Sequence, residues 1–378
     1  MIKDIEERAE VILMIFRVIL SLMIVLILVG FLCLKYHPVF GRKASKDKIH
    51  EFKQSINFAG KRFINQIPTV MDTSITTYVG LIREFIKGNP NGRPNRAIPV
   101  EPFHSVIMAD QSSNVTWFGH STLLLEMEGK RLLLDPIFSL TPSPFPMFGG
   151  KRYSEILPIE LENLPPIDVV MISHDHYDHM DYRTITKLKD KVSQFCVPLG
   201  VGGHLIAWGV KPEKIKELDW WEEFEFDGVT LVCTPSRHFS GRSVFDRDAT
   251  LWSSWVIKGQ ETKVFFSGDS GCGPHFIKIG EKYGPFDITL IECGQYDERW
   301  SAIHMMPEET VQAHLDVKGK ILIPIHWSAF TLALHDWTEP IERVTKAARE
   351  RNVGIATPKI GEAVMLGSDE YPKSLWWR

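Results

Sequence analysis

The stretch Pro166-Ile167-Asp168-Val169-Val170-Met171-Ile172-Ser173-His174-Asp175-His176-Tyr177-Asp178-His179 decides the reading of this chain. An apolar run of strand length ends there, and five imidazole or carboxylate side chains follow within six positions. A dry core cannot satisfy that density of polar groups. The spacing H-x-H-x-D-H directly after a strand suits a borderline cation such as Zn²⁺, which accepts His nitrogen and Asp oxygen. The plain alternative is a solvated His-rich turn. Six residues cannot enclose two metal ions alone, so further donors are expected at later strand ends. Ser236-Arg237-His238, Ser267-Gly268-Asp269 and Pro324-Ile325-His326 each follow an apolar run. Singly, each polar residue would read as a turn or cap. In the order H-x-H-x-D-H, H, D, H they read as a metal site.

Working outward, the pattern from Asn114 turns to strands. VTWFGHSTLLLEM, a polar turn at Glu128-Gly129-Lys130 and RLLLDP together predict a hairpin. Further strands are expected at Ile167–Ser173, Val229–Thr234, Ser253–Ile257, Val264–Ser267, Ile288–Glu292 and Ile321–Pro324. Helices are expected around Tyr182–Lys189, Pro274–Tyr283, Pro307–Val317 and Glu339–Arg351. Alternation of the two over residues 111–378 indicates one layered α/β domain. Before it, Gly88 to Pro102 (GNPNGRPNRAIPVEP) is dense in turn formers and reads as a lead-in that cannot continue a helix.

The N-terminus has a different composition. Residues 1–10 form a charged flank, and Val11 to Leu34 hold a single charge, Arg17. At 1.5 Å per residue that run makes a helix of roughly 36 Å, enough to cross a hydrocarbon core of about 30 Å with some tilt. A cleaved signal peptide fits less well, because the apolar run is too long and no small-x-small site follows it. Arg17 lies about one turn inside the run and can snorkel to the nearer interface. Lys3 and Arg8 precede the helix, whereas Lys35, Arg42, Lys43, Lys46, Lys48, Lys53, Lys61 and Arg62 follow it. The positive-inside rule then predicts a single-pass membrane protein with its catalytic domain in the cytoplasm. Within the basic segment 35–110, Ile49, Phe52, Ile56, Ala59, Phe63 and Ile64 are near helical spacing. Two readings stay open there: a helix lying on anionic lipid, and a helix packed on the domain. Cys196, Cys233, Cys272 and Cys293 are widely spaced and read as free thiols of a reducing compartment.

The site pattern resembles the metallo-β-lactamase superfamily. That resemblance implies a four-layer αββα sandwich, preceded here by the transmembrane helix, with a dinuclear metal site on loops at the sheet edges. It further implies that His174, His176 and His238 bind one Zn²⁺, that Asp178, His179 and His326 bind the other, and that Asp269 bridges both. Asp175 would orient a ligand from behind. Iron and manganese suit the same donors.

More specific segments narrow the resemblance: WFGHSTLLLEMEGKRLLLDPIFS (Trp117–Ser139), LPPIDVVMISHDHYDHMDY (Leu164–Tyr182), VPLG (Val197–Gly200), ELDWWEE (Glu217–Glu223), LWSSWV (Leu251–Val256), GPFD (Gly284–Asp287), ERW (Glu298–Trp300) and IHWSAF (Ile325–Phe330). From about Thr116 to Val364 the chain is similar to the N-acylphosphatidylethanolamine-hydrolysing phospholipase D family. By that resemblance Tyr177 and His304 contact substrate, Asp269 and His304 are catalytic, and a membrane phospholipid is the substrate. His304 would donate to the phosphate or protonate the leaving alkoxide. Familiar members of that family attach to membranes peripherally, so the apolar N-terminal run is a departure.

The formal charge is −4, from 43 Lys+Arg against 47 Asp+Glu, and the catalytic region lacks a basic tract, so no nucleic-acid partner is expected. A homo-oligomer is compatible with the sequence. The rival functions are another metallohydrolase on the same site, a lactonase or β-lactamase, and a non-catalytic metal- or lipid-binding membrane protein.

Overall fold

Central strands of this chain are apolar on both faces, which suits a sheet covered on both sides. The computed structural model describes residues 2–42, 44–72, 74–105 and 113–378; Lys43 and the expected boundary between 110 and 111 lie outside the described residues. The chain opens with α1 (Ile2–Tyr36) and α2 (Lys46–Phe52), then two-residue strands β1 (Phe58–Ala59) and β2 (Arg62–Phe63), then α3 (Ile75–Lys87). Strands β3 (Asn114–Trp117), β4 (Leu123–Met127), β5 (Lys130–Leu134), β6 (Ile167–Met171), β7 (Val192–Pro198) and β8 (Ile215–Leu218) build one sheet. Strands β9 (Glu223–Phe226), β10 (Val229–Thr234), β11 (Ser254–Lys258), β12 (Lys263–Phe266), β13 (Phe286–Glu292), β14 (Gly319–Ile325) and β15 (Gly354–Ile355) build a second. The last strand, β16 (Ala363–Met365), returns to pair antiparallel with β3, so each sheet has seven strands. Each sheet is antiparallel over one half and parallel over the other, the parallel halves being β5 to β8 and β12 to β15.

Strand periodicity sorts the core into two layers. Leu123, Leu125, Leu132 and Leu134 face the second sheet, within a cluster that also holds Leu231, Trp255, Phe265 and Ile288. Leu124 and Leu133 point the other way, toward the outer layer that holds α4 (Tyr182–Leu188) and α5 (Gly202–Ala207). Helices α6 (His275–Lys282), α7 (Pro307–Asp316) and α8 (Glu339–Glu350) cover the second sheet through Phe276, Val311 and Ile341. Helices therefore cover both sheets of an αββα sandwich. Each fully buried leucine contributes roughly 1.5–3 kcal/mol of apolar transfer free energy.

Several sequence expectations are corrected. The run VTWFGHSTLLLEM is two strands rather than one, because Gly119 (φ 89°) and His120 (φ 54°) turn the chain between β3 and β4. The expected hairpin is the β4–β5 pair, across Glu128-Gly129. The segment 49–64 is not a single helix: α2 ends at Phe52, and β1 and β2 follow. Phe52 and Phe63 are buried and pack edge-on with Phe58, so this segment lies on the domain. The lead-in 88–102 is pinned as well: Asn89 Nδ2 donates to Asp336 Oδ1 at 2.8 Å, and Arg93 Nη1 donates to the Lys151 carbonyl at 2.7 Å.

Helix α1 is longer than the expected 11–34, because its flanks (IEERAE, then KY) are also good helix formers. It is long and apolar enough to cross a membrane, and its side chains are exposed along most of its length. Just past its end, Val39 and Phe40 are buried, Arg42 N donates to His204 Nδ1 at 2.9 Å, and Trp208 Nε1 donates to the Pro38 carbonyl at 2.6 Å. Gly41 (φ 71°) makes this approach possible, since a Cβ there would come within 1.8 Å of His204 Nδ1.

Candidate metal centre

Polar side chains gather where strands of both sheets end. His174, His176, Asp178 and His179 follow β6, His238 follows β10, Asp269 follows β12 and His326 follows β14. With His120, Glu292 and His304 their donor atoms form three overlapping clusters, each within 4.8 Å: His174, His176, His238 and Asp269; His120, Asp178, His179 and His326; and Asp269, Glu292, His304 and His326. Asp269 joins them, with Oδ2 at 3.0 Å from His179 Nε2 and Oδ1 at 3.0 Å from His326 Nδ1. Within the first cluster His174 Nε2 is 2.8 Å from His176 Nδ1, and His238 Nε2 is 3.2 Å from the same atom. The structure thus brings together all seven residues expected to bind metal.

The donor set fits divalent cations. His179 Nε2 and Asp269 Oδ1 are buried without a well-directed hydrogen bond, which is costly unless something else satisfies them. Burial, reinforced by neighbouring imidazoles, holds His174 and His238 well below the usual histidine range, so they are neutral and carry a free lone pair. Burial opposes charge on Asp178 and Asp269, but His179 outweighs it and both carboxyls sit well below the carboxylate range. Burial opposes charge on His179 as well, but Asp269 and Asp178 outweigh it and hold that imidazole well above the usual histidine range; a divalent ion bound there would displace this proton, because a ligating imidazole must be neutral. His326 (φ 66°) holds a left-handed backbone, as do His120 and Asp135 (φ 38°), and strain of this kind collects where geometry is imposed by function.

Four further residues support the cluster, and only one of them was assigned from sequence. Asp135 Oδ2 accepts from His179 Nδ1 at 2.7 Å and Asp135 Oδ1 from Ser173 N at 2.7 Å, which turns His179 Nε2 toward the centre. His120 Nε2 contacts Asp178 Oδ2 at 2.8 Å, and burial pushes that imidazole down to about 3. Glu292 Oε2 pairs with His304 Nδ1 at 2.7 Å, while Oε1 accepts from Ser270 N. All three missed residues obey the strand-end signal that found the others: His120 after β3, Asp135 after β5, Glu292 at the end of β13. The fourth, Asp175, accepts from Gly241 N at 2.8 Å and Thr250 Oγ1 at 3.0 Å. It fastens the loop after His238 rather than the side chain of a metal-site residue.

The two expected substrate contacts differ. His304 is partly exposed and stacks on His326 with ring centroids 5.3 Å apart; burial disfavours its charge, but Glu292 outweighs this and lifts it to about 9. Tyr177 directs its hydroxyl to the Arg242 carbonyl, and its ring faces the Arg242 guanidinium at 4.2 Å, so Arg242 engages both its oxygen and one face of its ring. Beside His238 opens a cavity of about 450 Å³, lined among others by Phe63, Ile67, Met71, Phe239, Arg247 and Trp252. All five cysteines are free thiols, and Cys196, Cys233 and Cys293 are buried.

Residues 130–327 match the family described as "Beta-lactamase superfamily domain". An uncharacterized protein of Mycobacterium tuberculosis is 42% identical over 334 residues, covering 86% of this chain and 88% of its own. The N-acyl-phosphatidylethanolamine-hydrolyzing phospholipase D 1 of Caenorhabditis elegans is 34% identical over 287 residues, covering 71% of this chain and 79% of its own. Among solved structures, a metallo hydrolase from Ignicoccus hospitalis superposes with a TM-score of 0.53 at 21% identity, over 68% of this chain and 100% of that one, and shares its fold.

Proposed function

This chain belongs to the β-lactamase superfamily and is a metal-dependent hydrolase of that fold; on that premise we propose that it is a phospholipase D-type phosphodiesterase, held in a membrane by α1. Its substrate is N-acylphosphatidylethanolamine, cleaved to an N-acylethanolamine and phosphatidic acid. The observation that carries this reading is the similarity to the C. elegans enzyme over 79% of that protein's length. The exposed apolar length of α1 adds to it, since an enzyme for a bilayer lipid gains effective concentration from a membrane anchor.

In this reading His174, His176 and His238 hold one divalent cation, Asp178, His179 and His326 hold a second, and Asp269 serves both. Zinc suits this nitrogen- and oxygen-rich set. Two bound cations supply Lewis acidity toward a phosphoryl oxygen and activate water. Asp135 keeps the proton of His179 on Nδ1, so that Nε2 stays directed inward. Glu292 does the same for His304, leaving Nε2 to hold a proton beside the cluster and pass it to the departing alkoxide. The apolar wall of the cavity beside His238 takes acyl carbons, and Arg247 at its rim meets phosphate. The test is a product assay on the purified full-length protein with a phospholipid panel set against lactones and β-lactams. Release of N-acylethanolamine is expected, and turnover of the lactones or β-lactams alone would overturn the assignment.

A further inference from the structure

Helix α3 carries an apolar face that nothing in the described fold covers. Ser74 caps it, its hydroxyl accepting from Thr77 N, and Gly88 ends it at φ 69°. At about 100° per residue, Ile75, Tyr78, Val79, Ile82, Phe85 and Ile86 fall on one side. All six are exposed, Ile82 by 57% and Ile86 by 80%. Glu84 lies on the opposite side and pairs with Arg299 Nη2 at 2.9 Å, so the ion pair turns the polar face to the domain and the apolar face away from it. Arg83 and Lys87 flank the stripe and are exposed. A monomer in water rarely leaves so long an apolar stripe bare, which marks it as a contact surface.

The position of α3 identifies the contact. Arg299 belongs to the turn whose Trp300 carbonyl accepts from His304 N at 3.3 Å, so α3 sits at one rim of the metal cluster. Also beside the cluster, Tyr177, next to His176 in the chain, meets Arg242, and Arg242 Nε donates at 3.0 Å to the carbonyl of Val39, three residues beyond the end of α1. The end of α1 and α3 are therefore both linked, through these contacts, to residues beside the cluster. We propose that α3 lies in the headgroup region of the bilayer that α1 crosses, as a second, interfacial attachment that turns the metal cluster toward lipid. This rests on the reading of α1 as a membrane helix. Branched aliphatic side chains enter the acyl boundary, Tyr78 and Phe85 suit the interface, and Arg83 and Lys87 meet phosphates. A rigid body fixed at one point can rotate about it, whereas one fixed at two points that both adjoin its active site has that rotation restricted and the site held near the surface.

The test uses the full-length chain in phosphatidylcholine/phosphatidylglycerol nanodiscs at one copy per disc. A nitroxide is attached through Leu26→Cys, Ile86→Cys or Lys87→Cys, with Cys33→Ala and Cys272→Ala in the background. Power saturation then compares collisions with oxygen, which partitions into lipid, and with a water-soluble nickel chelate. The expected result is lipid exposure at positions 26 and 86, with an oxygen-to-nickel ratio at 86 several-fold above that at 87. A lipid-exposed label at 26 with an aqueous label at 86 overturns the proposal and leaves the α1 reading standing. Aqueous labels at both positions remove the α1 reading and the proposal together. A label at 86 shielded from both reagents means that protein covers α3, a second copy included, and also overturns it.

Discussion

The metal cluster and the N-terminal region invert the usual partition of side chains in opposite directions. In the cluster, histidines and aspartates are packed where the surrounding sheets bury leucine and phenylalanine. Along α1 and α3, leucine, isoleucine and phenylalanine stand in the open. Each inversion costs free energy in water, and a partner removes that cost: a cation for the first and, on the proposed membrane reading, lipid for the second. The difference is in how tightly the partner is specified. The cluster fixes its partner through donor identity, tautomer and distances near 3 Å, whereas on the proposed membrane reading the helices select theirs mainly by apolar area.

The most severe way to break the comparison is at the cluster. Asp269→Asn removes the carboxylate that joins the two donor sets, and hydrolysis should fall to background with loss of bound metal, read by product assay and elemental analysis on the same sample. Stripping the metal from the unaltered protein with a chelator should lower thermal stability by about 4 kcal/mol if free metal otherwise stands a thousand-fold above its Kd, and re-addition should restore it. An unchanged melting curve would mean that the polar cluster is satisfied without a cation. Asp135→Asn should act one step removed, weakening metal affinity by roughly 10–100-fold while leaving the fold intact, measured by competition with a chromogenic chelator. The smallest effect belongs to the other region: Ile82→Glu in detergent should shift unfolding stability by no more than about 0.5 kcal/mol, because no protein contact is lost. A large loss there would show that α3 packs on protein and would dissolve the contrast.

The same inversions governed what was legible from sequence. The cluster could be read because chemistry-bearing residues recur after apolar strands, a signal that one chain displays without its fold. His120, Asp135 and Glu292 obey that rule and were passed over because each stands alone after its strand, where a turn or cap is the commoner use of such a residue. Helical spacing was misleading at 49–64, where Phe52, Phe58 and Phe63 come together through a hairpin rather than along one helix face. It was informative at 75–86 but unread, since a face exposed in the isolated protein has the same periodicity as one buried in a core. Strands β7 and β8 and helix α5 complete the layers through contacts distant in sequence, which local pattern does not carry.

The six residues after α1 have a mechanical consequence. Pro38, Val39 and Arg42 are bonded to Trp208, Arg242 and His204, and the glycine at 41 leaves no room for a side chain between them. A peptide leash would let the hydrolase wander through a hemisphere above its anchor. Here the helix is bonded through this junction to residues beside the active-site loop, so, with α1 as the proposed anchor, its separation from the metal cluster is set by bond lengths, like the offset of a tool fixed rigidly in its holder. With α1 in a bilayer, lipid must cover a constant height to reach the site, and lengthening this junction by a few residues would change that height before it changed any residue that does chemistry.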